Sequence, residues 1–187
     1  MNRLGLIQPD ELRSDQKPLY DIISECANQI PFITKYPTGE LVGAFGLLLH
    51  NPSFGEQWFK LDRAVTSLPA LSPTVREVAI LAIASRTQCA YEKYAHIVMA
   101  GIRGITHEQI QGLISGKFPE SLGKDEKVAW EVANALGQPG PLNQEIWDVG
   151  IQTIGKDSMV SLIQVIGFYQ YISVLLNGFD VKVPELS

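Results

Sequence analysis

The chain has 187 residues, 45% of them hydrophobic and 19% charged, with a net charge of −5 and a pI near 5.2. That length suits one domain around one continuous core, so residues 1–187 read as a single domain with an N-terminal helical extension over 1–40 and a motif-bearing core over 71–116. The acidic balance, with no block of like charges, excludes a nucleic-acid surface, which needs clustered Lys and Arg.

Residues 1–15, MNRLGLIQPDELRSD, are polar and broken by Pro9, unlike the apolar region of a signal peptide. With Cys26 and Cys89 as its only cysteines, the chain fits a reducing cytoplasm with free thiols. Prolines at 9, 18, 31, 37, 52 and 69 then punctuate short amphipathic segments: KPLYDIISECANQI, GELVGAFGLLLH and NPSFGEQWFKLDRAV. Period-two alternation is largely absent, so helices are expected throughout.

From residue 71 the signals sharpen. In LSPTVREVAILAIASR, Ser72 is placed as N-cap and Pro73 as first helical residue. Val75, Val78, Ala79, Ala82 and Ile83 form a core-facing stripe. Thr87 is expected to cap the next helix, QCAYEKYAHIVMAG, which puts Cys89 in its first turn. Thr106 and Gln109 have capping-box spacing. DEKVAWEVANALG runs to a terminating Gly137, and NQEIWDVGIQTIG opens on Asn143 and stops at Gly155. The closing apolar segment, DSMVSLIQVIGFYQYISVLLNGF, includes Ser161, Gln164, Gln170 and Ser173, too polar for a membrane span and suited to a buried helix. An all-α bundle with short loops is the resulting fold class.

The chemistry concentrates in QCAYEKYAH. Cys89, Glu92 and His96 stand at i, i+3 and i+7, sharing one helical face. A thiol in a first helical turn meets unpaired N–H groups, which lowers its pKa. Glu92 is within reach of His96, where a carboxylate holds one tautomer of the ring. Glu77, on the preceding helix, meets the same face if the two helices fold together. Two carboxylates, an imidazole and a thiol can do acid–base chemistry. The ordinary alternatives stand beside this: Cys89 as a small buried hydrophobe, Glu92 and His96 as an exposed pair, and Glu77 as a complement to the helix dipole.

Residues 71–113, LSPTVREVAILAIASRTQCAYEKYAHIVMAGIRGITHEQIQGL, resemble the core of the carboxymuconolactone decarboxylase and alkylhydroperoxidase D-like superfamily. The shared pattern is a Glu, then twelve residues on a Cys-x-x-Cys-x-x-x-His, then a small-Gly-(Ile/Leu)-(Thr/Ser)-x-Glu helix start. Glu77, Cys89 and His96 fall on the Glu, first Cys and His, and AGIRGITHEQI supplies the rest with two extra residues. The flanks GAFGLLLHNPSFGEQWFKL and IGFYQYISVLLNGFDVKVP also resemble family segments, so the likeness spans most of 40–185. It implies the alkylhydroperoxidase D-like helical bundle and homo-oligomers, trimers or hexamers, in line with the low charge.

Glu92 stands where the second Cys would be. A disulfide cycle needs two nearby thiols, whereas a carboxylate there suits proton transfer. The resemblance therefore implies a decarboxylase-like lyase acting on a small acidic or lactone-type molecule, with Glu77, Cys89, Glu92 and His96 at the catalytic centre. Arg76, Arg86, Lys93 and His50 are the candidates for binding an anionic substrate. A one-cysteine antioxidant enzyme, with Cys89 oxidised and resolved by an outside thiol, is the first alternative. A non-catalytic oligomeric scaffold is the second. No metal or organic cofactor is implied, since histidines at 50, 96 and 107 make no ligand set. The expected partners are the substrate and further copies of the chain, with no nucleic acid and no membrane.

Overall fold

A computed structural model describes residues 2–185. Nine α-helices lie in the described residues: α1 Lys17–Ala27, α2 Gly43–Leu48, α3 Pro52–Thr66, α4 Pro73–Thr87, α5 Ala90–Ile102, α6 His107–Ile114, α7 Lys124–Ala135, α8 Gln144–Ile154 and α9 Lys156–Gly178. A short 3-10 turn at Pro9–Glu11 precedes them. Among the described residues there is no strand, only an isolated bridge between Lys35 and Leu41. The all-α expectation therefore holds.

The chain divides into two compact units, 1–64 with 174–187, and 65–173. In the first, Leu19 and Ile23 of α1 are buried, as are Leu47 and Leu48 of α2 and Trp58 and Phe59 of α3. Phe45 meets the rings of Trp58 and Phe59 edge-on, at 6.5 and 6.0 Å. The buried Gln16 side chain donates to the carbonyl of Leu49, satisfying an orphan acceptor at the end of α2.

In the second unit α4 is the central helix, packed against α5, α6 and α7. The expected stripe is buried, but so is every residue from Glu77 to Ser85. A helix covered all round belongs in the middle of a bundle, and that is how a carboxylate at position 77 comes to be sealed inside. α6 opens on the predicted capping box, with Gln109 N–H donating to Thr106 Oγ1 and the Gln109 side chain accepting from Thr106 N–H. α8 is capped by Asn143 and ends at Gly155, whose φ of 80° closes the helix.

α9 is, among the described residues, the one helix long and apolar enough to cross a membrane. Of its most apolar window 56% is buried inside the protein, as in a core helix.

Candidate functional site

The junction between α4 and α5 builds the site. Gln88 adopts a left-handed conformation, φ 53°, and its N–H and that of Cys89 return to Ser85 O and Ala84 O. This is the Schellman arrangement that ends a helix, here without the usual glycine. Cys89 therefore does two things: it closes α4 and is itself the N-cap of α5, its carbonyl accepting from Lys93 N–H. The expected cap, Thr87, is instead the last residue of α4. Its hydroxyl donates to Ile83 O four residues back, a bond open to any helical Thr.

As N-cap, Cys89 makes no side-chain cap bond, but the backbone N–H groups of Tyr91 and Glu92 act on its ionisation. Those dipoles and the Ser173 hydroxyl favour the thiolate, yet burial outweighs them, and with the Glu92 charge it pushes the thiol up to about 11. The expectation of a lowered pKa is thus reversed. The side chain is 1% exposed, and desolvation penalises the charged form more than partial dipoles at a helix end reward it.

The packing of α4 on α5 brings Glu77, Glu92 and His96 together, all buried. His96 Nδ1 lies 2.8 Å from Glu77 Oε2, and His96 Nε2 lies 3.5 Å from Glu92 Oε2. The bond between His96 Nδ1 and Glu77 Oε2 orients the ring. Nε2 faces Glu92 Oε2 at 3.5 Å, longer than an ordinary hydrogen bond. The Tyr169 ring meets the imidazole edge-to-face at 5.1 Å, and Ser173 stands one turn further along α9. The sequence marks Ser173 only as a polar residue of a buried helix and places neither it nor Tyr169 at the site. The one available signal was a hydroxyl interrupting an apolar helix.

The expected substrate cations are held elsewhere. Arg76 Nη2 donates to Leu68 O at 3.0 Å, and Arg86 Nη1 donates to Ala133 O near the end of α7. Lys93 reaches out to Gln88 Oε1 at 3.2 Å. His50 lies in the first unit, beside a surface cleft of about 690 Å³ that Arg13, Leu19, Ile22 and Glu56 also line. Partial desolvation, then Arg13, lower its pKa against a bond to Gly5. Among the described residues no group of three or more His, Cys, Asp and Glu is placed to hold a metal.

The Carboxymuconolactone decarboxylase family matches residues 52–135, which contain Glu77, Cys89, Glu92 and His96. Over that segment the chain is carboxymuconolactone decarboxylase-like. The decarboxylase-like segment runs from the start of α3 to the end of α7. No curated protein matches the sequence significantly. Among solved structures, an alkylhydroperoxidase AhpD core protein from Ralstonia eutropha JMP134, described as peroxidase-related and uncharacterized, superposes with a TM-score of 0.75 at 13% identity, over 98% of this chain and 93% of its own. The debrominase Bmp8 bound to 2,3,4-tribromopyrrole gives 0.72 at 13% identity, over 92% and 88%. These likenesses establish the alkylhydroperoxidase D-like helical fold.

Proposed function

We propose that this chain is an enzyme that moves a proton on a small organic substrate, with decarboxylation of an acidic lactone as its reaction. The observation that carries the proposal is His96 lodged between two buried carboxylates, 2.8 Å from Glu77 and 3.5 Å from Glu92. Glu77 orients the ring, and the Nε2–Glu92 pair is the mobile end of the relay.

In such a reaction the bond from the substrate carbon to its carboxylate breaks, CO₂ leaves, and the electron pair stays on carbon as an enolate. A proton is delivered to that carbon from His96 Nε2, with the Glu92 carboxylate beside it, and solvent restores it. A buried relay favours this step because an imidazolium beside developing negative charge acts in a low dielectric. Cys89 serves as the neutral cap of α5 that sets the position of Glu92. Burial of the thiol and its raised pKa speak against a resting thiolate and so against the one-cysteine antioxidant reading. Self-association of the chain is part of the proposal.

The test is turnover of carboxymuconolactone by purified protein, alongside Glu92→Gln, His96→Gln and Cys89→Ser. Loss in the first two with retention in the third supports relay chemistry. Full turnover by His96→Gln removes the imidazole from the mechanism, and loss confined to Cys89→Ser returns the site to thiol chemistry.

A further inference from the structure

We propose that the outer face of α9 is a two-fold interface, where a second copy of this chain packs its own α9 antiparallel and crosses at Gly167. Between Asp157 and Asp180 the chain carries no charged residue. Val160, Gly167 and Val174, two turns apart on one line of the helix, are all exposed, the valines to 44% and 69%. Single exposed valines are ordinary, but here Ile163 and Tyr171 stand half-buried beside them and widen the line into a face.

Gly167 is the middle of this face. A glycine inside a helix weakens it relative to alanine, and nothing within the chain asks for one here. A Cβ at 167 would meet no atom within 4 Å. Bare backbone on the outside of a helix instead lets another helix approach closely.

The order of side chains says which helix. Gln164 and Gln170 stand three residues either side of Gly167, Ile163 and Tyr171 four, and Val160 and Val174 seven. The face therefore reads alike in both directions. An isologous contact requires such a surface, since residue i meets j while j meets i. With Gly167 on the axis, Val160 meets the second copy's Val174, Ile163 meets Tyr171, and Gln164 meets Gln170. Gln170 Nε2 already donates to Leu136 O, which leaves Oε1 to accept from the Gln164 amide. The ends also match in charge. α9 has no basic residue in its last turn, and the two-fold brings the second copy's exposed Lys156 to that end, where the helix dipole favours a cation. A lipid surface asks for no such symmetry. The inference rests on the proposed self-association and says where the copies meet.

Sedimentation of the full-length protein tests this. The parent is expected at no less than twice the 20.6 kDa of the chain. Gly167→Arg, which sets bulk and like charges on the axis, should fall to half the parent mass or less with its helical content kept. If that variant does not fold, Val174→Glu, at the most exposed position of the face, decides. An oligomeric parent whose mass the substitution leaves unchanged overturns the interface but not self-association. A monomeric parent overturns both, and its binding to phosphatidylcholine vesicles would give the face to a membrane. Cross-linking reads the direction. In a Cys26→Ser background, Gly167→Cys should form a disulfide-linked dimer under mild oxidant, because a residue on a two-fold axis meets itself. Val160→Cys lies about 21 Å from its counterpart, too far to bridge, but should cross-link when mixed with Val174→Cys. Cross-linking of Val160→Cys to itself and not to Val174→Cys overturns the antiparallel packing.

Discussion

His96 Nδ1 sits 2.8 Å from Glu77 Oε2 although 19 residues separate them in the chain. The contact joins α4 to α5 inside the second unit, and it orients the ring so that Nε2 faces Glu92. Glu77→Gln keeps an acceptor for Nδ1–H and is expected to fold with a melting temperature close to the parent, while losing most turnover. Glu77→Ala leaves a buried imidazole without that acceptor and should lose about 1–3 kcal/mol of stability. Denaturant melts of the pair, read beside the decarboxylation assay, check both halves. Equal destabilisation by Gln and Ala would refute the role given to the bond.

The buried thiol makes stability depend on alkaline pH. Cys89 ionises at about 11 when folded, above its ordinary value of 9.0. An unfolded chain therefore releases this proton first, and the native state binds more protons between the two values. Stability from Cys89 is then full below pH 9 and is lost as pH rises toward 11, by roughly 2–3 kcal/mol. Tyrosines and lysines titrate in the same window, so the quantity to measure is the difference between parent and Cys89→Ala. A difference in unfolding free energy that stays flat with pH contradicts the raised pKa.

Glu92 is the residue that separates this site from a dithiol one. Positions 89 and 92 bracket the first turn of α5, a spacing at which two thiols can bridge. Glu92→Cys is expected to form a reducible 89–92 disulfide under mild oxidant, seen as a mass change on reduction and alkylation. The same variant should lose decarboxylation, because the proton acceptor opposite Nε2 is gone. Retained decarboxylation would show that Glu92 is not the mobile end of the relay.

Arg86 provides a control outside the relay. Its guanidinium donates to Ala133 O, completing a carbonyl near the end of α7 that the helix cannot satisfy. Arg86→Met should lower stability by about 1–2 kcal/mol and leave the KM of an acidic substrate unchanged. A large rise in KM with little loss of stability would instead restore the substrate-binding role expected from sequence.

Local rules carried the sequence reading a long way. The capping box at Thr106, the cap at Asn143, the stop at Gly155 and the helical character of each segment depend on neighbours within a few residues, and they reappear in the structure. The misreading at Thr87 shows the limit of the same rules. A Thr can cap the helix that follows or bond back into the helix it ends, and both options are local. What tips the balance is Gln88 in the left-handed region, a conformation that nothing in its side chain demands.

By itself, the sequence determined the helices, the shared face of Cys89, Glu92 and His96, and the glutamate in place of a second thiol. Only the tertiary structure decided how those groups behave. Helical spacing is a property of the chain, whereas ionisation depends on what surrounds a group in space. Burial of α4 on all sides sealed Glu77 against His96. Burial of Cys89 overturned the pKa expected from its place at a helix start, because removing water from a charge outweighs the pull of a few backbone dipoles. Tyr169 and Ser173, more than seventy residues from the motif, entered the site only because α9 folds back across α5.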